Sequence, residues 1–326
     1  MPFPDYEFIN YTYNMLIHDE MAYDRETLEQ DLERYLSTMT IEQRSVYDQI
    51  IDVVSVDAAA VHARGDIVIN VASSGIAALL LTDGRTTHSR FAIPINVLED
   101  SFCNIQPDSE LAALLNKAKL IIWDEAPMMH RHCFEAFDRT MRDIIKSANK
   151  KMPFGGKFVV FGGDFRQILP VVHKRNRAEI VNASLHSSDL WHHCKVLTLT
   201  KNMRLNGGEN ELEKKEISDF ADWILKIGEG KINLPNDGEA DIIFPDEVLI
   251  PSHDNHIQNI VDSIYPSLHS DLGDPNFFQN KAILAPTNEE VDSINDAVLA
   301  SIDEEERVYY SSDSLSPDEV DDLFAQ

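Results

Sequence analysis

The feature that most restricts the fold is the run L-I-I-W-D-E-A-P-M-M at residues 120–129. Its apolar beginning is typical of a buried parallel strand, and two acids, Asp124 and Glu125, follow at once. Ligands of open α/β sheets bind at the carboxyl ends of the strands. Adjacent acids there cost desolvation free energy unless a cation or a proton offsets their charge. The run therefore predicts either a site for Mg²⁺ and a nucleotide or a simple solvated acidic turn.

A second apolar strand ends in the same way. The run F-V-V-F at 158–161 leads into two glycines, which Asp164, Arg166 and Gln167 follow. Because neighbouring parallel strands end at one edge of a sheet, we expect these groups to converge with Asp124. A glutamine at this edge can contact a terminal phosphate or its water. Further strands are predicted at 66–72, 196–205, 248–251 and 281–288.

Charge is distributed unevenly along the chain. The net charge of −28 argues against indiscriminate nucleic-acid binding, but residues 130–206 carry 14 bases and 6 acids. That basic segment would attract a phosphate-bearing partner, or it forms solvated helix faces. The three cysteines are far apart and suggest neither a disulfide framework nor a zinc site. With no apolar run of membrane-spanning length and no signal peptide, an intracellular soluble protein is expected.

Small polar residues cluster at two turns before the acidic run. Ser73 and Ser74 lie between a predicted strand and a helix, where they would cap the helix or bind a phosphate. After the turn at 83–84 come further small donors and an aromatic ring, a set that suits the phosphates and bases of a single strand or an ordinary polar loop. They are Thr87, His88, Ser89 and Phe91.

Six motifs in order resemble those of superfamily-1 DNA helicases of the petite-integration-frequency type, in particular the helicase part of Helitron-type transposon proteins. The resemblance covers about residues 41–300. The motifs are S-S-G-I-A-A-L-L-L, G-R-T-T-H-S-R-F, W-D-E-A-P-M, F-G-G-D-F-R-Q-I-L-P-V-V, L-T-K-N-M-R-L and A-I-L-A-P-T-N. The resemblance implies a RecA-like α/β core of the P-loop NTPase kind, with a parallel sheet between two helix layers, that unwinds DNA 5′ to 3′ using ATP and Mg²⁺.

The resemblance also implies roles for single residues. Asp124 would hold Mg²⁺, and Glu125 would activate the attacking water. Gln167 would sense the γ-phosphate, and Arg204 would contact a phosphate. Gln43 would contact adenine, although Thr40 and Gln43 also form a capping box that explains the glutamine by itself. The DNA contacts would be Ser73, Ser74, Thr87, His88, Ser89 and Phe91.

One part of the family pattern is missing. A G-x-x-x-x-G-K-[ST] loop, which holds the β- and γ-phosphates, belongs between the adenine glutamine and the first DNA motif. Here 23 residues separate Gln43 from Ile67, and Gly65 is their only glycine. The chain also ends soon after the start of a second RecA-like domain. These departures lead to three hypotheses: a helicase ATPase with impaired catalysis, a non-catalytic fragment that binds single-stranded DNA, or an inactive transposon remnant.

The predicted organisation has four parts. Residues 1–40 form a helical extension, and 41–206 form the RecA-like helicase domain without its phosphate loop. Residues 207–302 form a partial second RecA-like domain, and 303–326 form an acidic, poorly ordered tail. Nuclear location and a part in DNA repair, recombination or telomere maintenance are implied by the resemblance alone.

Overall fold

The computed structural model describes residues 14–22, 25–54, 67–145, 151–203, 205, 210–232, 241–250, 255–268, 274, 276–279 and 281–302. The chain divides into two compact units, Met1–Leu234 and Pro235–Gln326. The four-part organisation expected from the sequence remains a prediction, and its acidic tail lies outside the described residues.

Four parallel strands form one sheet in the first unit, in the order β2-β1-β3-β4. The strands are β1 (Val68–Ala72), β2 (Arg85–Thr86), β3 (Leu120–Asp124) and β4 (Phe158–Phe161). Val68 is in register with Leu120, and Leu120 is in register with Phe158. The three longer strands therefore end at one edge of the sheet, and the strands predicted at these positions are confirmed.

The described helices lie in both units. They are α1 (Met15–Asp19), α2 (Arg25–Thr38), α3 (Ile41–Val54), α4 (Gly75–Leu80), α5 (Thr87–Phe91), α6 (Glu110–Lys117), α7 (Arg131–Ile144), α8 (Arg177–Ala183), α9 (Glu211–Gly228), α10 (His256–Ile264) and α11 (Asn288–Ala300). Short 3-10 helices span Ala126–Met128, Pro153–Gly156, Leu185–Ser187, Asp189–His193 and Asp246–Val248. No described helix combines the length and the apolar composition that crossing a membrane requires.

The main core lies against one face of the sheet. Alternate residues of β3, Ile121 and Trp123, are fully buried there, as the period of two along a strand requires. Helix α7 supplies Phe134 and Phe137, whose rings lie 4.5 and 6.0 Å from the Trp123 ring between centroids. Aromatic side chains bury a large apolar area, so this cluster contributes strongly to stability.

The other face of the sheet carries a smaller cluster. Val68 and Leu120 are buried there, and Ile50 of α3 packs against them together with the half-buried Ile122 and Val160. Helices therefore lie on both faces of a parallel sheet, and the predicted α/β class is confirmed.

Three predicted strands are wrong. No strand is assigned at 196–203, and the N–H groups of Thr200 and Lys201 donate to the carboxylate of Glu42 at 2.8 and 2.9 Å instead of to a strand. The described parts of 248–251 and 281–288 also lack strand pairing. In the second unit, described apolar contacts instead join Val261 and Tyr265 to residues of α11. The apolar pattern of a segment does not show whether another strand lies beside it, and these predictions failed for that reason.

Candidate functional site

Backbone hydrogen bonds join the loops that follow β1, β3 and β4. The N–H of Gly162 donates to the carbonyl of Trp123 at 2.9 Å, and the N–H of Ala126 donates to the carbonyl of Gly162 at 2.9 Å. The N–H of Ser73 donates to the carbonyl of Asp124 at 3.0 Å. These bonds bring the three strand ends together at one edge. The sequence predicted this for the ends of β3 and β4.

Glu125 occupies a strained position beside two other acids. Its backbone is left-handed, with φ 52° and ψ 36°, and its N–H donates to Oδ1 of Asp124 at 2.9 Å. Its Oε2 is buried and has no hydrogen-bond partner within the described part of the chain. Burial, followed by the charges of Asp124 and Asp164, raises the pKa of Glu125 above its ordinary value. Strain, an unpartnered buried oxygen and a raised pKa together are typical of a functional carboxylate.

Two glycines allow the loop after β4 to approach these acids. A Cβ atom on Gly162 would lie 2.9 Å from Oδ1 of Asp124. A Cβ atom on Gly163 would lie 2.3 Å from Cδ of Pro127, and Gly163 also has a φ of 145°. Side chains at these positions would force the two loops apart, so the glycines are required for the close approach of Asp164.

Hydrogen bonds fix the turn that follows Asp164. Oδ1 of Asp164 accepts the N–H of Arg166 at 2.9 Å, and its carbonyl accepts the N–H of Gln167 at 3.0 Å. The guanidinium of Arg166 also donates to Oε1 of Glu229 at 3.1 Å, just after the end of α9. The side chain of Gln167 is exposed. The turn therefore presents Gln167 to solvent next to the acidic edge, and its sensor role stays a prediction.

The predicted nucleotide contacts of Gln43 and Arg204 both stay predictions. Oε1 of Gln43 accepts the N–H of Thr40 at 3.0 Å, and the N–H of Gln43 donates to Oγ1 of Thr40 at 3.2 Å. The capping box is therefore confirmed, while the adenine contact of Gln43 stays a prediction. Arg204 lies outside the described residues, so its phosphate contact also stays a prediction.

The acidic edge fits a metal ion only if a nucleotide supplies further ligands. Within the described ranges, no group of three or more His, Cys, Asp or Glu side chains is arranged to hold a metal. Mg²⁺ in nucleotide sites is commonly bound by one or two carboxylates, with phosphate and water oxygens completing the shell. Asp124, half-buried at the end of β3, is compatible with that arrangement.

The hydroxyls of Ser73 and Ser74 have partners inside the protein. Oγ of Ser73 accepts Nε1–H of Trp123 at 3.0 Å. Oγ of Ser74 accepts the N–H of Ala77 at 3.2 Å and caps α4. The capping interpretation is confirmed for Ser74. Neither serine is fully buried, and their contact with DNA stays a prediction.

The prediction that Thr87 and Phe91 bind DNA is wrong for their side chains. Phe91 is 0% exposed and stacks on Phe137 with 4.0 Å between ring centroids. Thr87 is also 0% exposed, and its hydroxyl donates to Sδ of Met129 at 3.0 Å. The two residues lie four apart and share one face of α5, a spacing that could have indicated burial.

The other two residues of that segment remain accessible. Ser89 is exposed, and His88 is half-buried, where burial lowers its pKa. Between Ser89 and Phe91 lies Arg90, which is buried and forms an ion pair with Glu20. The sequence analysis missed this pair because 70 positions separate its members and no local pattern connects them.

A parallel α/β sheet with paired acids at the carboxyl end of one strand is compatible with a RecA-like fold, whose ligands bind at that edge. The model of the PIF1-like helicase family matches residues 56–238, just over half of the chain. The chain belongs to the PIF1-like helicase family, so the resemblance is confirmed.

Individual relatives agree with this assignment. Over 195 residues the chain is 29% identical to the ATP-dependent DNA helicase RRM3 of Saccharomyces cerevisiae, covering 58% of this chain and 26% of that protein. It is 34% identical over 112 residues to the ATP-dependent DNA helicase Pif1 of Bdellovibrio bacteriovorus, covering 33% of this chain and 24% of the relative. The chain thus spans about a quarter of the length of these relatives.

A solved structure supports the fold. The crystal structure of Pif1 helicase from Candida albicans matches with a TM-score of 0.53 at 17% identity, covering 88% of this chain and 60% of that one. At this identity the likeness concerns the fold alone.

Proposed function

We propose that this chain carries part of the motor of an ATP-dependent DNA helicase. The observation that carries the proposal is the convergence of Asp124, Glu125 and Asp164 at the shared end of β3 and β4, with a buried Glu125 oxygen left unpartnered. Membership of the PIF1-like family and relatives named as ATP-dependent DNA helicases support the same function.

In this proposal each residue at the acidic edge has one task. Asp124 holds the metal ion, which supplies charge neutralisation at the phosphates when it is bound. Glu125 orients the attacking water; its raised pKa makes it a better proton acceptor than an ordinary glutamate. Gln167 reports whether the terminal phosphate is present, and the bonded turn of Asp164 fixes its backbone. Arg204 and Gln43 keep the phosphate and adenine roles that the resemblance implies.

DNA is the second partner in this proposal. Ser89 and His88 offer a hydroxyl and an imidazole just after β2, and Ser73 and Ser74 lie at the end of β1. The basic segment 130–206 adds an attraction for phosphates that depends on salt concentration. The 5′ to 3′ polarity belongs to the proposal as well and follows from the family resemblance.

Hydrolysis by the chain as it stands should be negligible. Without a G-x-x-x-x-G-K-[ST] loop, the triphosphate loses several charge-assisted hydrogen bonds, each contributing about 1.5–3 kcal/mol. A fragment that binds single-stranded DNA without catalysis is therefore the second candidate function, and the basic segment favours it.

A steady-state ATPase assay with single-stranded DNA and Mg²⁺ tests the proposal. Three proteins are compared: the chain itself, a variant with the strand, phosphate loop and helix of a relative inserted between Val56 and Ile67, and the same insertion with Glu125→Gln. We expect negligible turnover for the first, DNA-stimulated turnover for the second, and loss of that turnover for the third.

Three results would each contradict a part of the proposal. Turnover by the unmodified chain as fast as that of the inserted variant would show that no phosphate loop is needed. Turnover by the inserted variant that Glu125→Gln leaves unchanged would remove the acidic edge from the chemistry. If none of the proteins binds a labelled single-stranded oligonucleotide at low salt, the proposed contact with DNA is wrong.

The cellular part of the proposal rests on the resemblance. It comprises nuclear location and a role in DNA repair, recombination or telomere maintenance for a transposon-derived protein. Microscopy of the tagged chain tests the location, and exclusion from the nucleus would contradict it.

A further inference from the structure

A short N-terminal segment contacts Arg90, which lies within the segment proposed to bind DNA. We call residues 14–22 the N-terminal strap; they contain α1 and the turn that follows it. Leu16 and Ile17 of the strap are half-buried against the main core, and Nδ2 of Asn14 donates to the carbonyl of Glu110 at 2.8 Å. No residue of α1 is fully buried, so the apolar attachment of the strap is modest.

The strap also forms a buried ion pair with α5. The Arg90 guanidinium donates to Oε1 of Glu20, and the two residues are 6% and 9% exposed. Arg90 directly follows Ser89, the exposed residue of the proposed DNA segment. A guanidinium therefore lies within that segment, and the carboxylate of Glu20 is bound to it.

The pair is a poor stabilising device. Taking two charges out of water costs free energy that their attraction repays only in part. Burial is the largest influence on the pKa of Glu20 and raises it, while the attraction of Arg90 lowers it less. Asp83 also raises the pKa of Glu20, and Arg85 lowers it. The carboxylate thus sits where its charge is disfavoured overall, which suits a group that can leave.

We infer that Arg90 is a phosphate-binding residue whose anion site is filled by the Glu20 carboxylate, and that the N-terminal strap must release it before a DNA phosphate binds there. Carboxylate and phosphate oxygens accept hydrogen bonds from the same guanidinium geometry, so one can replace the other. The inference rests on the proposed contact between α5 and DNA.

Binding of a labelled single-stranded oligothymidine, measured by fluorescence anisotropy over a range of salt concentrations, tests the inference. The test variant is Glu20→Gln, which keeps the shape of the side chain and removes its charge. The matched control is Asp19→Asn, which makes the same charge change one position away on an exposed side chain. A double variant, Glu20→Gln with Arg90→Gln, removes the cation as well.

We expect Glu20→Gln to bind about tenfold more tightly than Asp19→Asn, the effect of one added charge-assisted contact. The slope of log affinity against log salt should steepen by about 0.7, as one further phosphate contact on a single strand requires. The double variant should lose both gains. Equal affinity and slope for Glu20→Gln and Asp19→Asn would overturn the inference, and so would weaker binding by Glu20→Gln.

Circular dichroism confirms that each variant is folded. Should Glu20→Gln fail to fold, Leu16→Ala replaces it, because that change weakens the attachment of the strap without altering any charge. Tighter DNA binding by Leu16→Ala supports the inference, and unchanged binding overturns it. If the unmodified chain binds DNA but the variants gain nothing, only this inference fails; if no protein binds DNA, the proposed DNA contact fails with it.

Discussion

The acidic edge and the segment 73–91 both carry polar side chains near the strand ends, but their hydrogen bonding differs. In the segment, the hydroxyls of Ser73, Ser74 and Thr87 are engaged with Trp123, the start of α4 and Met129. At the acidic edge, the Oε2 atom of Glu125 is buried without a described partner. A buried group that the fold leaves unsatisfied indicates function more strongly than a polar residue with an internal bond.

The largest expected effect tests whether Phe91 is a core residue. Phe91→Ala should lower the free energy of unfolding by about 3–5 kcal/mol, because a fully buried ring is replaced by a cavity. The control is Leu79→Ala, an 85% exposed side chain whose loss should change stability by less than about 0.5 kcal/mol. Urea unfolding measures both, and a small effect of Phe91→Ala would return this ring to the list of candidate DNA contacts.

The next effect concerns the glycines of the acidic edge. Gly163→Ala should destabilise by at least about 1–3 kcal/mol, because its φ of 145° is strained for alanine and its Cβ would collide with Pro127. Gly75→Ala is the matched control, since a Cβ there meets nothing within 4 Å. Thermal unfolding of both variants decides; equal melting temperatures would show that the loops are not held together as described.

A smaller effect separates capping from a DNA contact at the end of β1. Ser74→Ala should cost about 0.5–2 kcal/mol, because the N–H of Ala77 loses its acceptor. Ser89→Ala, on an exposed side chain, should cost less than about 0.5 kcal/mol. If Ser74→Ala leaves the urea midpoint unchanged, the hydroxyl of Ser74 does not stabilise α4 and is available for a DNA contact. The difference in hydrogen bonding between the segment 73–91 and the acidic edge would then be smaller.

The smallest effect tests the charge of Glu125. Its folded pKa is raised, so the folded state binds more protons than the unfolded state between the ordinary and the raised pKa. The contribution of Glu125 to stability therefore falls as pH rises through that window. Glu125→Gln should raise stability above the window, by less than about 1 kcal/mol, because the side chain as a whole is only half-buried and its exposed part is screened by solvent.

Unfolding of the wild type and of Glu125→Gln is compared at acidic and neutral pH. The difference between the two proteins should shrink at acidic pH, where the wild-type carboxyl is protonated. A difference of the opposite sign at neutral pH would mean that the charge of Glu125 has a stabilising partner.

The sequence alone determined most of the parallel sheet and the position of the acids at its edge. The runs at 120–125 and 158–167 carry strand, turn and acid in consecutive positions, so local pattern was sufficient for β3, β4 and the convergence of their ends. The capping box of Thr40 and Gln43 is equally local and was predictable. The strand at 196–205 was not, because a strand needs a neighbour, and Glu42 took the hydrogen bonds instead.

Only the tertiary structure decided which polar residues are accessible. Phe91 and Thr87 belong to a motif that resembles a DNA-binding motif, but their side chains face the core. Burial depends on what packs over a helix, which the motif does not show. The pairing of Glu20 with Arg90 joins positions 70 residues apart, which no spacing rule can connect. Bonding between neighbours in sequence follows from local chain geometry, whereas solvent access and ion pairing depend on contacts that exist only after the chain has folded.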